Sequence, residues 1–277
     1  MTVHAHCGGG GAAAVPFFAL RFLAGFPKVK LYNESQREWL RDDRELPFWT
    51  YSQPQLLRAG SWLGSWNQPM LRTFGIAQLN VIDVREPAAY AQGHLPYALS
   101  LPGSVWLAQS KNPTALVEAL SAAGVNPQHE AVIVSDGSLT RAAALAFWTL
   151  ERLGHARVSL LTQSVDDWGL AGGTLTKVAT RVGMPTSMQD LAVPPTRYDA
   201  TPRPQLQAGV QATGGLYPRV YLSSGASRKV PDGPRIQLEA ASLLNADGTP
   251  KAAKELLPLL EKAGLPRYAE VVCVAED

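Results

Sequence analysis

Cys7 stands immediately before four consecutive glycines, Gly8, Gly9, Gly10 and Gly11, and then Ala12. A thiol becomes a nucleophile as its anion, so a reactive cysteine needs surroundings that favour the thiolate. Glycines allow successive backbone N–H groups to turn inward around such an anion. A loop that opens into a helix adds amides with no intrahelical partner. The pattern predicts a nucleophilic Cys7 cradled by the glycines and Ala12, working without a metal or an organic cofactor. An arginine six residues after the cysteine would fork around phosphate. Ala13 occupies that position, which argues against phosphatase chemistry.

Other candidates carry less chemistry. His4 and His6 share one face of a strand by the period of two, but a zinc site needs three or four convergent ligands and no further Cys or His cluster follows. Cys273 falls in the middle of an apolar run and reads as a small buried hydrophobe. Asp83 and Arg85 read as a structural ion pair, and Asp166 and Asp167 as a solvated turn.

The elements that would position Cys7 are written more than once. Shifted by 129 positions, residues 7 to 39 fall on residues 136 to 168 without a gap: Gly8 on Gly137, Ala13 on Ala142, Gly25 on Gly154, Ser35 on Ser164 and Trp39 on Trp168. Asp136 then takes the place of Cys7. A weaker copy at a shift of 140 sets Gly124 on Gly264, Glu130 on Glu270 and Val132 on Val272, and would carry Asp136 onto Glu276. Such long-period similarity decides how many units are being read.

The chain has 277 residues, 46 % hydrophobic and 17 % charged, with a net charge of +2. That composition suits a globular protein with real cores, and it gives no reason to expect nucleic acid or an anionic membrane as partner. Two cysteines do not form a disulfide framework and fit a reducing compartment, and the missing export signal leads to the expectation of a cytoplasmic location. The apolar stretch Ala12 to Gly25 is too short to span a bilayer, is broken by Arg21, and lacks the basic region of an export signal. It reads as a buried helix closed by Gly25.

Strands are expected at 29–32, 78–84, 98–101, 131–135, 158–161, 219–223 and 270–275, and helices at 34–41, 114–123, 140–153 and 252–262. Alternating strands and helices imply an α/β fold with a parallel sheet covered on both faces. Residues 185–218, rich in proline and without periodicity, read as a linker.

Two segments carry a resemblance. The run Val81-Ile82-Asp83-Val84-Arg85-Glu86-Pro87, followed by Tyr90, Gly93-His94-Leu95-Pro96 and Ala98, resembles the opening half of a rhodanese-like domain. Leu153-Gly154-His155 through Trp168 resembles the closing half. The resemblance implies one complete inactive domain over residues 54–185, a Pro-rich linker over 186–215, and two half-domains. Residues 1–50 are a closing half with the Cys7 loop; residues 216–277 are a degenerate opening half, in which Ser223 and Gly225 replace the Asp83 and Arg85 positions. The two halves could pair as a permuted second domain, or associate with another chain.

The same resemblance implies a sulfurtransferase. Cys7 would take a sulfane sulfur from a small donor, thiosulfate or 3-mercaptopyruvate, and pass it as a persulfide to a thiol or cyanide. Asp136 and Arg141 would mark the degenerate site of the middle domain, since a carboxylate cannot carry a persulfide. The loop lacks Lys and Arg, as in the neutral loops of mercaptopyruvate-type enzymes. Donor-binding cations are therefore sought in the degenerate half, at Arg219, Arg228, Lys229 and Arg235. The alternative reading is a non-catalytic rhodanese-like scaffold or binding module, a fragment of a longer multi-rhodanese protein.

Overall fold

A computed structural model describes residues 2–39, 56–109, 112–137, 139–206, 217–224, 232–266 and 268–274. The chain divides into two compact units, Met1–Pro54 and Gln55–Asp277.

In the first unit, β1 (Val3–Ala5) runs parallel to β2 (Val29–Leu31), with Val3 opposite Val29 and Ala5 opposite Leu31. Between them lie the Cys7 loop, α1 (Ala14–Phe18) and a π-helical turn over Ala19–Leu23 that continues it. Gly25, at φ 74°, ends this segment in the left-handed conformation that glycine adopts without steric cost. After β2 comes α2 (Ser35–Trp39); the remainder of the expected 34–41 helix, and the connection at Pro47, lie outside the described residues. The expected burial of the 12–25 helix needs correction. Ala13 is buried and Phe17 and Leu20 are half-buried, but Val15, Phe18, Phe22 and Leu23 are exposed. A two-stranded sheet offers one narrow face, enough to cover only one side of the helix.

The second unit opens with β3 (Leu57–Arg58), α3 (Gly60–Trp66) and α4 (Pro69–Thr73), and then β4 (Leu79–Asp83), α5 (Pro87–Gln92) and β5 (Ala98–Ser100). Next come α6 (Gly103–Gln109), α7 (Pro113–Ala122), β6 (Glu130–Val134), α8 (Arg141–Leu153), β7 (Arg157–Leu161) and α9 (Val165–Leu170). The five strands form one parallel sheet in the order β3-β7-β6-β4-β5. Side chains alternate between its faces. Ile82, Leu99, Ala131, Ile133, Val158 and Leu160 point to one face, where Trp106, Leu116, Leu120, Ala146 and Leu150 cover them. Val81, Ala98, Val132, Val134 and Leu161 point to the other, under Leu63, Tyr90, Leu95 and Trp168. Each fully buried leucine contributes about 1.5–3 kcal/mol relative to exposure.

Helix boundaries follow local chemistry. Thr140 caps α8, its hydroxyl accepting from the Ala143 N–H, and Gly154 at φ 85° closes it. Asn112 caps α7 in the same way, accepting from Ala115. Ser164 caps α9 and also donates to the Asp167 carboxylate, 2.8 Å. Asp166 and Asp167 thus sit in a helical first turn rather than in a bare turn, a position that suits negative charge.

The first part of the expected linker is not free. β8 (Arg181–Val182) pairs with β9 (Ala192–Val193), and Val193 and Tyr198 join the core. The Tyr198 N–H donates to Ser121 Oγ, 3.0 Å, and Arg203 pairs with Glu151, 2.7 Å. Proline and lost periodicity signalled irregular backbone, but not that its apolar side chains had a core to fill. Residues 207–216 lie outside the described residues.

A three-stranded parallel sheet completes the unit: β10 (Arg219–Ser223) lies between β11 (Arg235–Gln237) and β12 (Glu270–Val274), with α10 (Ala253–Lys262) preceding β12. Glu255 accepts from the Ala252 N–H at the start of α10, 3.2 Å. Cys273 is in β12, but it is exposed rather than buried. Among the described residues β12 is the edge strand of its sheet, paired with β10. Its strand surroundings still desolvate the thiol enough to push its pKa up. Gly225, Arg228, Lys229 and Glu276 lie outside the described residues.

Candidate active site

The Cys7 loop leaves the C-terminal end of β1 and closes into α1. Its carbonyls face the chain that follows β2: the Gln36 N–H donates to the Cys7 carbonyl, 3.1 Å, and the Arg37 N–H to the Gly8 carbonyl, 3.0 Å. The Cys7 N–H donates to Ser35 Oγ, 3.0 Å, and the Ser35 hydroxyl donates to the Tyr32 carbonyl, 2.7 Å. Ser35 is buried and holds φ 49°, a rare conformation for a residue other than glycine, fixed here from both sides.

With those carbonyls occupied, the Gly10 amide is turned to the sulfur. The Gly10 N–H donates to Cys7 Sγ at 3.1 Å. Amides of Gly9 first, then of Ala13, Gly10 and Ala12, hold the thiol below its ordinary pKa against the opposing effect of partial burial. Gly10 sits at φ 88°, and a Cβ there would lie 1.8 Å from the Asn33 carbonyl oxygen. Gly8 and Gly11 have open space at the same position. Of the four glycines, Gly10 is therefore the one that the geometry demands. Cys7 itself is half-buried and free of any disulfide.

Asp136 occupies the matching place after β6 in the second unit. Its carboxylate is 74 % exposed and lies 4.0 Å from Arg85 Nε. Ser135 Oγ accepts from the Gly137 N–H, 3.3 Å, and Thr140 Oγ1 lies 2.9 Å from Ser135 Oγ. Ser138 lies outside the described residues. Arg141 is the first residue of α8 and is exposed. Beneath this loop Asp83 and Arg85 form the expected structural pair: the guanidinium donates to the carboxylate at 2.7 and 3.0 Å and to the Gly93 carbonyl at 2.8 Å, with both side chains buried.

His4 and His6 are exposed, on the face of β1 opposite buried Ala5. Among the described residues, no group of three or more His, Cys, Asp or Glu side chains is placed to hold a metal ion, and no helix is long and apolar enough to cross a membrane. Of the cations expected to bind a donor, Arg228 and Lys229 lie outside the described residues. Arg219 is taken by Glu270 in a two-point ion pair at 2.7 and 3.0 Å, and Arg235 lies 3.7 Å from Asp232. The sequence reading missed Ser35, Asn33 and Arg37, which reach the loop from some thirty residues along the chain. The match of Ser35 to Ser164 was the available signal.

The second unit is built around an α/β domain of one parallel sheet covered on both faces, with the Asp136 loop between β6 and α8. Residues 69–171 match the family model of the rhodanese-like domain, and the chain carries that domain. A protein of Synechococcus elongatus named "Putative thiosulfate sulfurtransferase" is 32 % identical over 108 residues. That match covers 36 % of this chain and 34 % of the relative, so the chain spans about a third of the relative's length. Among solved structures, the 3-mercaptopyruvate sulfurtransferase SseA of Escherichia coli is similar, with a TM-score of 0.58 at 17 % identity, over 79 % of this chain and 87 % of that one. The anaerobic ergothioneine biosynthesis enzyme of Chlorobium limicola gives a TM-score of 0.55 at 16 % identity, over 93 % and 69 %. At such identities these likenesses establish the rhodanese fold.

Proposed function

We propose that this chain is a sulfurtransferase acting through a persulfide on Cys7. The observation that carries the reading is the Gly10 N–H donated to Cys7 Sγ at 3.1 Å, in a loop whose amides hold the thiol below its ordinary pKa. In the first step the thiolate attacks the outer sulfur of a small donor. With thiosulfate the S–S bond breaks and sulfite leaves with the electron pair; with 3-mercaptopyruvate the C–S bond breaks and pyruvate leaves as its enolate, then takes a proton. In the second step an acceptor thiolate or cyanide attacks the outer sulfur, and Cys7 departs as the thiolate that the amides stabilise. The loop is neutral at both stages, so it favours the anion on sulfur without a fixed counter-ion.

In this reading the rhodanese-like domain of residues 54–185 is non-catalytic. Asp136 stands where a nucleophile would be needed, and its carboxylate faces Arg85. Residues 1–50 supply the working loop, and residues 216–277 are a degenerate opening half. The named activity of the Synechococcus relative and the fold of SseA support the same chemistry. The test is incubation with thiosulfate or 3-mercaptopyruvate, followed by peptide mass analysis. One added sulfur atom on Cys7, with transfer abolished in Cys7→Ser, is expected. A Cys7 that never gains sulfur from either donor would refute the proposal and leave the scaffold reading.

A further inference from the structure

A loop of neutral residues can hold a thiolate, but it offers nothing to the charge of an incoming donor. Arg37 supplies what the loop lacks. A Cβ built on Gly9 would lie 3.6 Å from Arg37 Nη2 and 3.9 Å from its Cζ, so the guanidinium rests against the Cys7 loop at Gly9, two residues from the thiol. The root of the residue is fixed, because its N–H donates to the Gly8 carbonyl. The side chain is exposed, and among the described residues its guanidinium enters no hydrogen bond or ion pair. The neighbouring Glu38 carboxylate is turned to the Tyr32 hydroxyl, from which it accepts at 2.8 Å. A permanently charged, planar fork with free N–H groups matches a carboxylate or a sulfonate. The thiolate itself owes its stabilisation to the backbone amides, which leaves Arg37 to act on what approaches.

We infer that Arg37 determines donor specificity at the Cys7 site, by binding the oxyanion head carried beside the sulfur to be transferred. The inference rests on Cys7 as the reacting group and names the side chain that would favour anionic donors, with a carboxylate or sulfonate next to the sulfur, over neutral ones. It moves the donor-binding charge from residues 216–277 to α2, within the same compact unit as the cysteine.

Two alkylating reagents that differ only in charge test this on the full chain. Iodoacetate carries a carboxylate and iodoacetamide is neutral; their rates at Cys7 are compared in a Cys273→Ser background by peptide mass. Opposite charges about 6 Å apart in solvent-rich surroundings change such a rate by about 3–10-fold, and salt compresses the effect. The iodoacetate-to-iodoacetamide ratio is expected to fall by that factor in Arg37→Gln, to fall further in Arg37→Glu, and to be retained in Arg37→Lys. KM for thiosulfate and 3-mercaptopyruvate should rise in the same order. A ratio unchanged in Arg37→Glu overturns the inference, whether or not the iodoacetamide rate itself drops. The outcome is separable from the persulfide reading: alkylation selectivity reports Arg37 even if Cys7 carries no sulfur, and a persulfide with flat selectivity defeats Arg37 alone.

Discussion

Replacing Gly10 by alanine is the most demanding trial of the loop geometry. At φ 88°, an added Cβ would lie 1.8 Å from the Asn33 oxygen and 2.7 Å from its carbonyl carbon. Non-bonded heavy atoms settle near about 3.5 Å, so one partner must retreat by about 1.7 Å. The left-handed conformation itself costs an L-residue about 1–2 kcal/mol. Both strains are relieved by letting the peptide before Gly10 swing away from Asn33, which removes the N–H donated to Cys7 Sγ. The thiol pKa should then rise toward its ordinary value. Loss of one preorganised donor of this kind costs roughly a hundredfold or more in turnover. The assay is the pH dependence of Cys7 alkylation, paired with sulfur transfer from thiosulfate. Gly8→Ala is the control, because nothing lies within 4 Å of its added Cβ. If Gly10→Ala keeps a depressed thiol pKa and wild-type turnover, or if Gly8→Ala is equally damaging, the amide-cradle argument is wrong.

Asp83→Asn should destabilise the fold by about 3–5 kcal/mol in urea titration, since it strips the charge from a buried pair and leaves Arg85 uncompensated. Asp136→Asn, at a carboxylate 74 % exposed and 4.0 Å from the same guanidinium, should change stability by less than about 0.5 kcal/mol; an equal effect of the two would show that burial is not what separates them. Leu120→Ala, at a side chain with no exposure, should cost about 2–5 kcal/mol in the same titration. His155 is buried with Nδ1 3.1 Å from the Tyr198 hydroxyl and Nε2 2.8 Å from the His129 carbonyl, and burial pushes its pKa down to about 4. As pH falls below about 6.5 the unfolded chain takes up this proton first, so stability present above that value is lost toward pH 4, by about 3 kcal/mol at the lower end. His155→Gln should flatten that part of the stability profile, and an unaltered slope would count against a neutral buried imidazole.

Legibility in the sequence followed the range of the forces involved. The strand run 79–83 and the helix over 141–153 were readable because hydrophobic period is local. The Asp83–Arg85 pair was readable for the same reason, its partners being two residues apart. The left-handed Gly25, at φ 74°, falls where a helix-closing glycine was expected. Burial was harder, since it depends on what another segment brings. Phe18 and Phe22 are apolar yet exposed, Cys273 sits in a strand with little above it, and Tyr198 is drawn from a proline-rich stretch into the core. At the site, the glycine run pointed to Cys7 but could not say which glycine is obligatory. That follows from the approach of Asn33, a long-range contact. Arg37 escaped notice because cations were sought inside the loop or in the degenerate half, not on the helix whose backbone anchors Gly8.

Because α2 and the corner at Ser35 hold the Cys7 N–H and the carbonyls of Cys7 and Gly8, the peptide dipoles at the start of the glycine loop are sorted from outside the loop. A reactive thiol of this design is consequently not a portable cassette. Transplanted into a foreign scaffold, the heptapeptide from Cys7 to Ala13 would arrive with its peptide dipoles unsorted and behave as an ordinary surface cysteine. A graft that also carried Tyr32 through Arg37 would bring the template along with the nucleophile.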